Sequence, residues 1–340
     1  KLTEGKHVII EDSDAFGDYP DMQLAGVYNS GTKAMTVDLN RQTLVIGNHY
    51  HRSWDKTEDP IKKQVAILGR EGTELNFTNG DKNRPITLVG CSDPKGDYSA
   101  MNNGYTGDLI IAEAGSRIHI EAPLRFVNGG AITAKKDYND VLDNGYVKVR
   151  GDVLFEGDSY IMGFNRKNKP SIDIEGDVYF RQYGEVKGNV NISGTVHFDN
   201  YGIFNVKEKR QQGQVIFGKA GNFYYDQIHI PETHFGLGPV TLRYRYEKDA
   251  KTGAVHTHFD SPLFGFIEGR GGVGGGTYIG MSKDGKQPVE KTFRIHGGIM
   301  GTSSGPVRIG MVGKNAYWHG TAAATESGSL NSRYPEQESQ

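Results

Sequence analysis

The chain has 340 residues, 36% of them hydrophobic, with 47 glycines, 18 tyrosines, one cysteine and a formal net charge of −2. Acids and bases are interspersed with no basic stripe, which removes the electrostatic footprint of a nucleic-acid binder. No apolar run is long enough for a membrane-spanning helix. So polar a balance suits a thin repeat structure with a solvated exterior better than one large globular core.

The chain opens at Lys1 without a start methionine or signal peptide and reads as a mature or excised fragment. A short extended run, HVIIED, leads into the acidic stretch EDSDAFGDYPD. There Asp12, Asp14 and Gly17 imitate the opening of a calcium loop, but Phe16 replaces the third ligand and Gln23 stands where the bidentate Glu belongs. A solvated, turn-rich loop is the better reading, and no metal is assigned. From Gly26 the apolar residues alternate (Met35, Val37, Leu39, then Leu44 and Ile46), and QVAILGREGTELNF and ITLVGCSD continue the pattern. Period-two alternation predicts strands. Cys91, in the last of these runs, reads as a small buried apolar residue with no disulfide partner. Between two of the runs, Asn48 to Pro60 concentrates Tyr50, His51, Arg52 and Trp54. Exposed aromatics beside Arg suit a glycan- or protein-binding patch, since a ring stacks on an apolar face while the cation bonds a polar group. The competing reading folds these rings back onto the core. His49 and His51 have no third ligand placed by the sequence, so zinc is not assigned.

Between Ile118 and Phe217 a nine-residue unit recurs: IHIEAPLRF (Ile118 to Phe126), VKVRGDVLF (Val147 to Phe155), IDIEGDVYF (Ile172 to Phe180) and VNISGTVHF (Val190 to Phe198), with a half copy, GQVIF, ending at Phe217. Positions one, three, seven and nine are apolar, and the fifth is small (Ala122, Gly151, Gly176, Gly194). Each unit is predicted to be two short strands around a bend, with the small residue inward, where bulk would obstruct the corner. Gly130, Gly184, Gly202 and Gly221 each follow a closing Phe by four residues. Successive copies start 29, 25 and 18 residues apart. The shortest spacing accommodates about three strands of ~5 residues, one circuit that returns to stack on itself. A unit this small cannot bury its own apolar face, so neighbours must close the core.

The predicted fold is therefore all-β, a right-handed single-stranded parallel β-helix with loop insertions and a glycine-rich C-terminal section. Its handedness follows from the general preference of parallel crossovers. Phe155, Phe180, Phe198 and Phe217 are expected to form one inward stack. An antiparallel sandwich or barrel is the competing architecture. The longer spacings imply two insertions leaving the circuit just after the ninth position, Asn128 to Tyr146 and Glu156 to Ser171. Lys135, Lys136 and Tyr138 in one, with Arg166, Lys167 and Lys169 in the other, would give one side a basic and aromatic character. Deleting Asn128 to Tyr146 is expected to spare the fold. Residues 1–245 read as β-helix with degenerate early coils, 246–320 as a hairpin and glycine-rich coils or cap, and 321–340 as a polar tail. A hairpin is expected to pair Val240 to Tyr246 with Val255 to Phe259.

Motifs for catalysis are poor. GTSSG (Gly301 to Gly305) has the form of a nucleophile elbow around Ser303, but nothing helical follows and His296, Gly297 and Gly298 stand beside it instead of in a separate loop. GRGGVGGG, Gly269 to Gly276, lacks the Lys-Ser/Thr ending of a phosphate loop. Asp173 and Glu175 share a strand face, and Asp152 and Asp177 recur at equivalent positions, as paired carboxylates of a polysaccharide hydrolase or lyase would. Equivalent positions also carry Pro123 and Thr195, the variation of a solvated exterior. No catalytic residue and no cofactor are assigned.

Irregular coils, Gly- and Tyr-richness and near absence of cysteine, together with the run AGVYNSGTKAMTVDLNRQTLVIG, resemble the passenger domains of bacterial type V autotransporters. A phrase of the type V-D-L-N-x-x-T-L-x-I, here Val37 to Ile46, recurs in the early coils of that family. The anchoring β-barrel and any G-D-S-G-like protease motif are missing from this sequence. The resemblance implies a secreted or bacterial cell-surface adhesin or aggregation factor, of the kind that contributes to virulence and biofilm, whose rod is the functional body. Its expected partners are a host or bacterial surface glycan or protein, or another copy of the rod. A carbohydrate-active β-helix enzyme and a phage tail-spike-like protein are the alternatives.

Overall fold

Strands form wherever apolar residues alternate, and no helix occurs among the described residues. A computed structural model describes residues 6–8, 26–29, 31, 33–47, 65–89, 108–127, 129–137, 142–164, 170–206, 212–225, 228–234, 240–252 and 255–259, and short strands between 263 and 324. Two compact units are distinguished, Lys1–Gly194 and Thr195–Gln340.

In the first unit the chain visits three sheets in rotation. The first sheet contains Lys6–Val8, Thr43–Gly47, Ile86–Val89, Leu124–Val127, Val153–Phe155 and Val178–Phe180. The second contains Val27–Asn29, Ile67–Gly69, Asp108–Ala112, Gly130–Ala134, Ser159–Gly163 and Gly184–Gly188. The third contains Ala34–Asp38, Glu74–Thr78, Arg117–Ile120, Tyr146–Val149, Ile172–Ile174 and Val190–Ile192. Each strand pairs in parallel with the strand three places later in the chain. Hairpins would instead join sequential neighbours antiparallel.

Register turns the sequence repeat into rows of like side chains. On the third sheet Leu75, Ile118, Val147, Ile172 and Val190 are successive partners, and so are Phe77, Ile120, Val149, Ile174 and Ile192. On the first, Ile46, Leu88, Phe126, Phe155 and Phe180 form a row, and on the second Ile67, Ile110, Ile132, Ile161 and Val186 form another. All of these are buried. The rings of Phe126 and Phe155 stack at 4.4 Å and those of Phe155 and Phe180 at 4.8 Å. Stacked aromatic pairs contribute about 0.5–1.5 kcal/mol beyond their buried area.

Glycine placement follows from the same stacking. A Cβ at Gly184 would collide with the Phe180 ring, and one at Gly130 would meet Leu109 and the Phe126 ring. Position four after the closing Phe must therefore be small, and Ser159 after Phe155 is the one substitute in the series, its Oγ donating to Gly157 O at 2.8 Å. The bend glycines differ from expectation. Gly151, Gly176 and Gly194 are half-buried at the corner between the third and first sheets, and a Cβ there would strike the backbone of the preceding circuit at Pro123, Gly151 and Gly176 respectively. What excludes a side chain is the neighbouring circuit's backbone, not crowding on the inward face.

The second unit starts with the same parallel pairing. Val196–Phe198 pairs with residues 215–217 of Gln212–Phe217, and Tyr201–Val206 pairs with Ala220–Tyr225. Phe198 stacks on Phe217 at 5.2 Å and Phe204 on Phe223 at 5.5 Å. The four phenylalanines of the expected stack are thus all buried, and two stacks are described, Phe126–Phe155–Phe180 in the first unit and Phe198–Phe217 in the second. Antiparallel strands follow: Val240–Lys248 on Gln212–Phe217, and Ile228–His234 on Ala220–Tyr225. The expected hairpin is present, Val240–Lys248 with Val255–Phe259, and Asp249 Oδ1 accepts the amides of Lys251 and Thr252 in its turn. Short parallel strands then resume, Val255–Phe259 with Gly276–Ile279 and Gly276–Ile279 in turn with Val307–Ile309. Ser303, Cys91, and Asp12, Asp14 and Gly17 lie outside the described residues.

Truncating the middle ring of the stack, Phe155→Ala, should cost about 3–5 kcal/mol in chemical denaturation, against under about 1.5 kcal/mol for Phe155→Leu. Gly184→Ala should also destabilise measurably, because its methyl displaces the Phe180 ring. Wild-type stability in Gly184→Ala would contradict the packing described.

Candidate functional site

The connection from the first sheet to the second varies most in length, since residues 48–66 separate Thr43–Gly47 from Ile67–Gly69 but only 128–129 separate Leu124–Val127 from Gly130–Ala134; the corner between the second and third sheets varies too. In its short form it is built from glycine. Arg70-Glu71-Gly72-Thr73 and Glu113-Ala114-Gly115-Ser116 turn with Gly72 at φ 71° and Gly115 at φ 69°, a region that glycine enters without steric cost. Thr73 Oγ1 donates to Arg70 O at 2.6 Å, and Ser116 Oγ donates to Glu113 O at 2.8 Å, closing both turns alike. Arg70 and Glu113 join the two corners by an ion pair at 3.3 Å. In the shortest circuit Gly188 and Asn189 alone make the corner, and a Cβ at Gly188 would collide with Gly163 O.

Two successive circuits carry their extra residues here. Strand Gly130–Ala134 ends and strand Tyr146–Val149 begins with residues 135–145 between them; residues 164–171 separate Ser159–Gly163 from Ile172–Ile174. The insertions therefore leave one strand later than expected, because the residues directly after Phe126 and Phe155 form second-sheet strands. Deleting Asn128 to Tyr146 would remove Gly130–Ala134 from the sheet, so the expectation that this deletion spares the fold is corrected. The base of the first insertion is ordered by Asp137 and Asn144, both buried. Asn144 Oδ1 accepts the Asp137 amide at 3.1 Å, and Asp137 Oδ2 accepts the Leu142 amide at 2.5 Å. Asp143 O accepts the Gly115 amide, tying the insertion to the corner of the circuit before it.

Of the ten residues expected to bind, Lys135 and Lys136 are described. Both lie in this corner, Lys135 half-buried and Lys136 exposed. Tyr138, Arg166, Lys167 and Lys169, and Tyr50, His51, Arg52 and Trp54, lie outside the described residues. Beside Lys135 is a group that the sequence did not flag. Asp108 Oδ1 accepts Thr133 Oγ1 at 2.9 Å and also the Tyr160 hydroxyl, so three consecutive second-sheet strands meet at one carboxylate. Burial raises the Asp108 pKa, and it outweighs the opposing effects of the Tyr160 and Thr133 hydrogen bonds and the Lys135 charge. Nearby on the outer side of the same sheet, Leu68 and Ile111 are buried with Val65, and Tyr28 packs against them. The Tyr28 hydroxyl donates to Val65 O at 2.7 Å, and burial pushes its pKa up to about 12.

The outer face of the third sheet and its corner with the first sheet hold the carboxylates that resembled a hydrolytic pair. Glu175 is ion-paired with Lys148 at 2.5 Å and with Arg150 at 3.3 Å, and Arg150 reaches Glu121 at 3.1 Å. The Lys148 hydrogen bond holds the Glu175 carboxyl below the usual range, and Glu175 in turn raises Lys148. Asp173 Oδ1 accepts Asn191 Nδ2 at 2.7 Å. Asp152 Oδ1 accepts the Asp177 amide at 2.8 Å, and Asp177 Oδ2 accepts the Tyr179 hydroxyl at 3.2 Å. Each of these carboxylates bonds an adjacent circuit or its own strand. His119 on the same face is held below its usual pKa chiefly by burial, and its ring meets Tyr146 edge-on at 5.8 Å. Among the described residues no group of three His, Cys, Asp or Glu side chains is arranged to hold a metal, and no helix is long and apolar enough to cross a membrane.

Comparison with protein-family models, with curated proteins and with solved structures found no match to this chain.

Because burial raises the folded-state pKa of Asp108, the folded chain holds a proton that the unfolded chain has released at pH between the ordinary aspartate range and the raised value. Its contribution to stability is present below the ordinary aspartate range and falls as pH rises towards the raised value. Asp108→Asn should therefore raise the melting temperature at neutral pH and flatten the decline across that window, read by thermal melts at stepped pH. A melting temperature lowered at neutral pH would show that the carboxylate is needed in its charged form.

Proposed function

We propose that this chain is a right-handed, single-stranded parallel β-helix acting as a secreted or bacterial cell-surface adhesin or aggregation factor. It binds a host glycan, a surface protein or another copy of itself through corner loops, and it does not catalyse. The observation carrying this reading is the placement of extra residues. Two consecutive circuits lengthen at one corner, between the second and third sheets, while their strands stay in register with their neighbours. Core rows account for the alternating apolar residues. They do not account for Lys135, Lys136, Tyr138, Arg166, Lys167 and Lys169, which belong to the two lengthened corners.

The fold reading rests on parallel pairing of every third strand in the first unit, which one strand per sheet per circuit explains without further assumption. Right-handedness rests on the general rule for parallel crossovers. The bacterial surface assignment rests on the sequence resemblance to autotransporter passengers. Flat sheet faces offer little concavity for a small ligand. Binding is accordingly weak per contact and strengthened by many copies on a polymer or cell surface.

Reversing four cations, Lys136→Glu, Arg166→Glu, Lys167→Glu and Lys169→Glu together, should leave chemical stability within about 0.5 kcal/mol per site, as surface changes usually do. The same variant should lose binding on a glycan array, or lose self-association in sedimentation. Undiminished binding would move the site away from these loops. Depolymerisation of a polysaccharide by the intact protein, abolished by changing one surface Asp or Glu to its amide, would establish an enzyme instead.

A further inference from the structure

We propose that Asn79 is a site of spontaneous modification, at which the side-chain amide closes on Gly80 and is converted to aspartate and isoaspartate. Asn-Gly pairs occur at Asn79, Asn103, Asn128 and Asn144, and the structure describes both residues of the first and last. Glycine after asparagine favours the reaction because no Cβ obstructs approach of its nitrogen to the amide carbon.

The two described pairs differ in the features that control this chemistry. Asn144 is buried, its Oδ1 accepts the Asp137 amide at 3.1 Å, and the Gly145 amide donates to Lys135 O at 2.9 Å. The nucleophile is thus engaged, and this is what sets Asn144 apart, since both side-chain amides are hydrogen-bonded. Asn79 is exposed at a corner, and the Gly80 amide donates to no backbone carbonyl among the described residues. The backbone of Asn79 is left-handed, φ 57°, which the short amide side chain tolerates.

The step needs only water. Hydroxide removes the Gly80 amide proton and the nitrogen attacks Asn79 Cγ. The bond from Cγ to Nδ2 breaks, and ammonia leaves with a proton from water. Hydrolysis of the five-membered imide at either carbonyl gives aspartate, or isoaspartate with the main chain routed through the side-chain carbon. Nothing is oxidised or reduced.

The consequence falls on the contact between two circuits. Asn79 Nδ2 donates to Asp38 Oδ1 at 3.0 Å, and the same oxygen accepts the Asn40 amide at 2.9 Å. A carboxylate at position 79 cannot donate and faces Asp38 with like charge. Isoaspartate adds a backbone carbon beside Gly80, where a Cβ would already collide with Glu121 O. Modification therefore loosens this corner as the protein ages.

The full chain is incubated in mildly alkaline and mildly acidic buffer, native and in urea, and peptides are followed by mass spectrometry with isoaspartate scored by its methyltransferase. In native protein Asn79 should convert at least about tenfold faster than Asn144, faster in alkali, while in urea the two rates converge because local protection is lost. A native Asn79 rate no faster than that of Asn144 overturns the proposal, as does an Asn79 rate that rises tenfold or more on unfolding. Asn79→Asp should melt below wild type at neutral pH and recover in acid as the new carboxyl is neutralised; an unchanged melt overturns the stated consequence.

Discussion

Parallel backbone pairing between each strand and the strand three places later is the constraint on which the rest of the first unit depends. It holds adjacent circuits about 4.8 Å apart. At that distance side chains at equivalent positions must touch, so rows become uniform: isoleucine and valine on one sheet, phenylalanine on another. The same distance leaves no room for a Cβ where corner backbones cross. That is why Gly176 abuts Gly151 and Gly194 abuts Gly176. Hydrophobic burial supplies most of the stabilisation, while the glycine corners decide whether the rows can approach closely enough to collect it.

Charge on the outer faces obeys the same spacing. Glu121, Arg150 and Glu175 alternate in sign across three successive circuits, with Lys148 closing on Glu175. Exposed pairs of this kind contribute little singly. Their effect is to favour the observed register, since a slip by one residue would break the ladder and turn the apolar rows outward. The inserted corners escape this discipline. A corner that leaves the strands in register can lengthen without disturbing its neighbours, which is where a repeat structure gains variable surface.

Legibility from sequence followed circuit length. Between Ile172 and Val206 the circuits are short, alternation is clean, and strands, bends and the rule of glycine four residues after phenylalanine were all readable. Where a circuit is long, the sequence does not mark which strand precedes the extra residues, so the insertions were assigned to the wrong corner. The turns at Gly72 and Gly115 escaped notice because each is only four residues, and their common feature is a hydroxyl closing onto the carbonyl three residues back. Ile228–His234 was not anticipated, because the repeat fades after Tyr225 and Pro231 interrupts the strand's alternation. Asp108 gave no local signal at all. Its environment comes from Thr133 and Tyr160, 25 and 52 residues away.

The most direct test of this account is a set of spin-label distances on the outer face of the third sheet. With Cys91 replaced by serine, nitroxides are placed pairwise at Lys148, Asp173 and Asn191, which are successive register partners. Circuits stacked about 4.8 Å apart predict strong spin exchange for the 148/173 and 173/191 pairs and weaker coupling, at about twice that separation, for 148/191. Absence of exchange between 148 and 173, or a 148/191 pair closer than either neighbour, would contradict the parallel order from which the rows, the corners and the placement of the loops all follow.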